Sequence, residues 1–400
     1  MIQTVVSNAS APEYGQATIS FPIREEDYPS VVNMLQRMGL GDPLERDCRV
    51  DEVCGNWPIL KRLEKVAINL DEMDYLAKRL DSFDAQEKAK FQAAAVRFGL
   101  FDMRHLIDLT FCCQETTVIT DFSDLEKVGR RHYLDVNGSS APSEELENVD
   151  GYETALLLIG DGDGTITPYG VIYDNGMQLR PVYDGQNFPL YQHQDAVLVL
   201  GLTHESDLDM NSATTWLFLP ASAERLERAL KRGGFEPGSS IHCTCVGGNI
   251  QEELEARLNF ERESLKDLNT FASAIASIDE AQHAKFKAVI QMANPQSATE
   301  MTALAQNLDL FDFVPGVHSP REYGEFMIRE SGHFDLDDDL APFIDYKAYG
   351  QKQIDAEGGV FNDQGYVAYK GPQSLSELMM RPPAEQRYAG PEMQMGGFSR

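Results

Sequence analysis

The chain is poor in the cysteine and histidine arrangements that build metal and catalytic sites. Its six cysteines form no C-x-x-C pair and no Cys/His cluster with zinc spacing. Its eight histidines include no H-E-x-x-H pair, and no G-x-S-x-G turn is present. We therefore expect buried free thiols, no catalytic residue, no cofactor and no resident metal.

Long apolar runs are also missing. The longest lie around Leu156–Ile159 and Ala196–Leu202, and both are far too short to cross a bilayer. The first 16 residues, MIQTVVSNASAPEYGQ, contain no basic segment followed by an apolar one, so they do not read as a secretory signal. These features predict a cytoplasmic protein.

Basic residues are few. The 400 residues contain 34 Lys and Arg against 64 Asp and Glu, a formal net charge of −30. Such a charge repels nucleic acid and anionic membranes and favours a basic protein partner. The acids are concentrated: residues 51–100 have nine acids and eight bases, residues 101–200 seventeen and five, and residues 301–350 ten and three.

What is present is an internal repeat. Between residues 35 and 93 the chain matches itself without a gap at an offset of 195 residues. Leu35, Arg37, Gly39 and Cys48, for example, fall on Leu230, Arg232, Gly234 and Cys243. Repeats of this kind govern the whole fold. The sequence predicts an elongated α+β protein, built as a tandem duplication of a unit with helices and a small antiparallel sheet.

The repeat sets the expected domain boundaries. We expect a loose leader over 1–14 and a flexible tail over 373–400. Repeat 1 covers 15–185, with a helical core over 51–135 and a β-rich part over 151–185. A strand and linker cover 186–212. Repeat 2 covers 213–372, with a helical core over 250–335 and a β-rich part over 358–371.

Local patterns predict individual elements. Leu70, Met73, Leu76, Ala77 and Leu80 recur at steps of three and four and indicate one apolar helix face. Asp84 followed by Glu87 predicts the capping box of a second helix, with Asp279 at the same place in repeat 2. Strands are expected at Tyr152–Ile159, Tyr169–Tyr173 and Leu179–Tyr183, with Asn175-Gly176 as a hairpin turn.

Two acidic runs could be mistaken for cation sites. Gly160-Asp-Gly-Asp-Gly164 is interpreted as a hairpin turn, and Asp335-Leu-Asp-Asp-Asp339 as a solvated or partner-facing surface. Calcium loops need more acids at fixed spacing and a closing Glu. A divalent cation at Asp161 and Asp163, or at Asp335–Asp339, stays open as an alternative.

Several segments resemble the ArdA antirestriction proteins of mobile elements such as conjugative transposons. They are Gly55-Asn-Trp-Pro-Ile-Leu-Lys-Arg-Leu-Glu64, Ile68-Asn-Leu-Asp-Glu-Met-Asp-Tyr-Leu-Ala-Lys-Arg-Leu80, Lys90-Phe-Gln-Ala-Ala-Ala-Val96 and Asp102-Met-Arg-His-Leu-Ile-Asp-Leu109. The resemblance covers about 16–135 and, more weakly, 213–335, where Asn249–Glu253 lacks the Trp-Pro pair.

The resemblance implies a protein that acts without catalysis. Members of the family are acidic DNA mimics that bind type I restriction–modification enzymes as dimers, with carboxylates in place of phosphates. A tandem chain could do the work of a dimer as a monomeric pseudo-dimer, or it could form a homodimer.

We expect the mimic to use acids late in each repeat. The candidates are Asp121, Asp124, Glu126, Asp135, Glu144, Glu145, Glu147 and Asp150 in repeat 1, and Glu322, Glu325, Glu330, Asp335, Asp337, Asp338 and Asp339 in repeat 2. Two other functions remain open. One is an anti-CRISPR protein or a conjugative-element adaptor that binds its partner through shape and apolar contacts; the other is a hydrolase with an unrecognised site.

Overall fold

A computed structural model describes residues 1–138, 140–191, 196–204, 214–236, 239–331 and 343–380, apart from the side chains of Pro12 and Asp161. The strands are β1 (Ile2–Asn8), β2 (Gln16–Phe21), β3 (Cys48–Gly55), β4 (Ala67–Ile68), β5 (Thr117–Ile119), β6 (Thr165–Thr167), β7 (Gly170–Tyr173), β8 (Leu198–His204), β9 (Thr215–Leu219), β10 (Ile241–Gly247), β11 (Phe311–Pro315), β12 (Val360–Asn362) and β13 (Gly365–Tyr369).

The α-helices are α1 (Tyr28–Arg37), α2 (Leu70–Asp81), α3 (Ala85–Phe98), α4 (Met103–Leu109), α5 (Leu125–Val136), α6 (Ser143–Asn148), α7 (Gly151–Asp161), α8 (Ala223–Arg232), α9 (Glu252–Glu255), α10 (Leu265–Ala276), α11 (Glu280–Ala293), α12 (Ala298–Ala305), α13 (Pro320–Arg329), α14 (Tyr346–Glu357) and α15 (Leu375–Met380). Short 3₁₀ helices include Pro58–Leu63 and Cys113–Glu115. Helices combined with small antiparallel sheets confirm the predicted α+β class.

The chain divides into two compact units. The first contains residues 1–194 and 199–244, and the second contains residues 195–198 and 245–400. Most of the segment that begins repeat 2, including β9 and α8, therefore belongs to the first unit. The units do not follow the boundaries that the sequence repeat suggests.

The first residues are part of a sheet. Strand β1 is paired on both sides, with β2 and with β3, in a four-stranded sheet of order β2-β1-β3-β4. Ile2 and Val6 are buried beneath it. Because β1 is a central strand with a buried face, the expectation of a loose leader over 1–14 is wrong for these residues.

The helical core of the first unit follows the predicted pattern. Helix α2 begins at Asn69, whose side chain accepts hydrogen bonds from the backbone N–H groups of Asp71 and Glu72. Helix α3 begins with the predicted capping box, in which the Asp84 side chain and the Glu87 side chain each cap the other's backbone. Leu70, Met73 and Leu76 are buried in one large apolar core.

The segment Tyr152–Ile159, expected as a strand, is helix α7. Asp150 caps it by accepting a hydrogen bond from the Glu153 backbone N–H, and the helix packs against α5. A Cβ on Gly129 of α5 would lie 1.8 Å from the Gly151 carbonyl oxygen, so glycine permits this close crossing. The Gly160–Gly164 run therefore ends a helix rather than forming a hairpin, and Leu179–Tyr183 forms no strand.

The elements recur at the spacing of the sequence repeat. Helices α10 and α11 begin 195 residues after α2 and α3, and α13 and α14 begin 195 residues after α5 and α7. The sheet order β5-β7-β6 recurs as β11-β13-β12, and β2-β1-β3 as β9-β8-β10. A close glycine crossing recurs too, since a Cβ on Gly324 of α13 would lie 1.9 Å from the Tyr346 carbonyl oxygen of α14.

Candidate partner-binding surface

Most of the acids expected to face a partner in repeat 1 lie at the surface. Helix α6 presents Glu144, Glu145 and Glu147, and all three are exposed. Its first turn is acidic, which suits the positive end of the helix dipole. Glu145 also accepts a hydrogen bond from the Tyr133 hydroxyl of α5, which fixes the position of its carboxylate.

The remaining exposed candidates of repeat 1 also act as local caps. Asp124 accepts the Lys127 backbone N–H at the start of α5, and Asp150 does the same for Glu153 at the start of α7. Asp121 accepts hydrogen bonds from the Ser123 backbone N–H and hydroxyl, which lower the pKa of its carboxyl. Caps use part of each carboxylate but leave it charged and exposed.

Two candidates of repeat 1 are less accessible. Glu126 is half-buried, pairs with Arg130 at 2.9 Å and accepts the Tyr152 backbone N–H. Asp135 is only 2% exposed, and its Oδ1 lies 2.6 Å from Lys90 Nζ and 3.1 Å from Arg131 Nε. A carboxylate enclosed in this way cannot meet a partner, so the assignment of Asp135 to the surface is wrong.

The buried pair of Lys90 and Asp135 has a structural role instead. Asp135 Oδ2 accepts the Thr117 hydroxyl at 3.1 Å, and Lys90 Nζ donates to the Gln114 carbonyl at 2.9 Å. Burial lowers the pKa of Lys90, while the neighbouring Asp135 opposes that change. The neighbouring His132 contacts Thr117 at 2.9 Å and its pKa is lowered by burial, in agreement with the predicted packing role.

In repeat 2 the described candidates sit on α13 and at its end. Glu322 and Glu330 are exposed, and Glu325 is half-buried beside Arg329 at 3.8 Å. Glu322 caps its helix and accepts the His318 backbone N–H, which lowers the pKa of its carboxyl. Asp335, Asp337, Asp338 and Asp339 lie outside the described residues.

A second set of acids is neutralised inside the first unit, which the sequence reading missed. Helix α8 places Arg225, Arg228 and Arg232 on one face. Arg225 pairs with Asp74 at 2.9 Å and Glu25 at 2.7 Å, and Arg228 pairs with Asp71 at 2.8 Å.

The same arginine face makes polar contacts beyond ion pairs. Arg232 donates to the Asn69 side chain at 3.2 Å and to the Tyr183 hydroxyl at 2.5 Å. Arg225 also lies over the Tyr28 ring, 3.7 Å from its centre. At the positions 195 residues after Asp71 and Asp74 the chain has Lys266 and Asn269, so repeat 2 lacks this acidic face. That charge difference between repeats was a signal the sequence contained.

The described residues offer little support for a metal or catalytic site. Within them, no group of three or more His, Cys, Asp or Glu side chains is arranged to hold a metal ion. Cys48, Cys112, Cys113 and Cys243 are buried as expected, whereas Cys54 is exposed. The helices of the described part are too short or too polar to cross a membrane.

Comparison with known proteins identifies one region. Residues 211–368 match the sequence model of a family described as antirestriction protein (ArdA). No curated protein matches the chain. The matched region contains β9–β13 and α8–α14 and falls in repeat 2, where the resemblance was expected to be weaker. The chain is therefore ArdA-like, with an ArdA antirestriction-protein segment over residues 211–368.

Proposed function

We propose that this chain is an antirestriction protein made of two ArdA-type copies, which binds in the DNA channel of a type I restriction–modification enzyme. The family match over residues 211–368 carries the proposal. Moved back by the 195-residue repeat, that match corresponds to residues 16–173, where the same order of helices and strands occurs.

The charge of the chain supports a basic partner. With a net charge of −30, exposed carboxylates can replace the phosphates that a DNA-binding channel accepts. The exposed acids on α6, together with Asp121, Asp124 and Asp150, are the proposed contacts of copy 1. Glu322 and Glu330, with the half-buried Glu126 and Glu325 at the margins, extend the set, and Asp335 and Asp337–Asp339 remain proposed members.

Each of these carboxylates contributes little alone, because exposed ion pairs are worth at most about 1 kcal/mol. The collective contact should therefore tolerate single substitutions and weaken as salt screens the charges. A partner bound mainly through apolar contacts would behave in the opposite way.

The test is DNA cleavage and methylation by a purified type I enzyme, titrated with this protein at two salt concentrations. We expect inhibition near stoichiometric amounts at low salt, and a clear rise in the amount needed at high salt. Absence of inhibition at every ratio would contradict the proposal. Inhibition that does not respond to salt would favour binding through shape and apolar contacts.

A further inference from the structure

Helix α7 has an apolar face that points away from its own core. Ala155 and Leu158 are buried against the rest of the unit. Tyr152, Leu156 and Ile159, spaced at i, i+4 and i+7, form a stripe on another side and are 55%, 47% and 37% exposed. Leu157, beside this stripe, is 58% exposed. Clusters of large exposed apolar side chains on soluble proteins mark interaction sites.

The corresponding helix of repeat 2 lacks this stripe. Helix α14 begins 195 residues after α7, and Lys347, Gln351 and Lys352 stand where α7 has Tyr152, Leu156 and Leu157. All three are exposed, as their counterparts are. The same surface position is thus polar in one repeat and apolar in the other, so the fold does not require an apolar residue there.

The charge around α7 selects the kind of partner. From residue 132 to residue 179 the sequence has no Lys or Arg and nine acids, namely Asp135, Glu144, Glu145, Glu147, Asp150, Glu153, Asp161, Asp163 and Asp174. Glu153 is exposed on α7 itself, and the acids of α6 precede it directly. The equivalent stretch 327–374 contains four bases, Arg329, Lys347, Lys352 and Lys370.

We infer that the α7 stripe is a docking site for a basic amphipathic helix of a partner protein. The apolar side of that helix would cover Tyr152, Leu156 and Ile159, in the helix-in-groove manner of recognition. Its Lys and Arg residues would face the acids of α6 and α7. A second copy of this chain would bring the same acids to the contact and repel, and an anionic membrane would be repelled in the same way.

This site goes beyond phosphate mimicry, because its affinity comes from apolar burial as well as charge. Salt that screens surface charges should weaken such a complex only in part. The site therefore gives copy 1 a contact that copy 2 does not have, and binding to it can be measured without any restriction enzyme.

The experiment uses the full chain and a fluorescein-labelled peptide of about 18 residues, long enough for about five helical turns, with leucines on one face and lysines on the other. Binding is followed by fluorescence anisotropy. Tyr152→Gln combined with Leu156→Gln should weaken binding about tenfold or more, since two anchors lose their apolar contact. Leu157→Gln alone should have a smaller effect in the same direction, and circular dichroism should show each variant folded.

Two controls separate the site from general charge attraction. Lys347→Ala with Gln351→Ala on α14 should leave the affinity unchanged. A peptide of the same composition, with its leucines scattered around the helix, should bind about tenfold more weakly than the amphipathic one. Equal binding of the two peptides, or equal binding to wild type and to the α7 variant, would overturn the inference. Light scattering that shows a wild-type dimer dissociated by the α7 substitutions would assign the stripe to a second copy and overturn it as well.

Discussion

Single acidic residues of similar sequence context play three different roles in this protein. Glu144 and Glu147 are exposed on α6, Asp150 is an exposed cap, and Asp135 is buried beside Lys90. Composition identifies the acidic region, but it does not show which carboxylate meets an internal cation. Asp135 could not be separated from its neighbours because its partner lies 45 residues away on another helix.

The buried pair predicts a stability effect at one residue. Asp135→Asn leaves the Lys90 ammonium buried without its counter-charge, and breaking a buried pair in this way costs about 3–5 kcal/mol. Urea unfolding followed by circular dichroism measures that loss. Asp121→Asn serves as the control, because Asp121 is exposed and its variant should unfold at the same midpoint. If the two variants unfold alike, the pair does not stabilise the fold.

At the level of elements, the predictions that succeeded rest on local signals. The α2 periodicity and the Asp84 capping box act within a few residues, so the sequence alone determines them. Helix α7 was misread because Ala155-Leu-Leu-Leu-Ile159 is apolar on nearly every side, and a short apolar run fits a buried strand as well as a helix. Strand β1 was missed because its sheet partners, β2 and β3, are distant in sequence and give no local signal.

The crossing of α5 and α7 gives a prediction at this scale. Gly129→Ala places a Cβ against the Gly151 carbonyl oxygen, and we expect a loss of about 1–3 kcal/mol from overpacking. Gly160→Ala lies on α7 with no described heavy atom within 4 Å of the added Cβ, so it should be neutral or slightly stabilising. Thermal unfolding of both variants makes the comparison. A Gly129→Ala protein as stable as Gly160→Ala would show that the helices do not cross so closely.

At the level of the whole molecule, sequence and structure divide the chain differently. The repeat predicts two successive copies, whereas the first compact unit includes residues 199–244 and with them α8. The reason is chemical: the α8 arginines find the acids Asp71 and Asp74 of repeat 1, while repeat 2 offers Lys266 and Asn269 at those positions. The family match over residues 211–368 therefore begins in one compact unit and ends in the other.

The central claim is that carboxylates of this chain occupy the place of DNA on a restriction enzyme. The most direct measurement is competition, in which a labelled DNA duplex bound to a type I enzyme is displaced by this protein at low salt. A variant with Glu144, Glu145 and Glu147 changed to Gln is compared with one in which the exposed acids Glu13, Glu45 and Glu52 are changed to Gln, since both lose three charges. We predict that wild type and the second variant displace the duplex, and that the first needs a several-fold higher concentration. Wild-type protein that binds the enzyme and leaves the duplex in place would contradict the account.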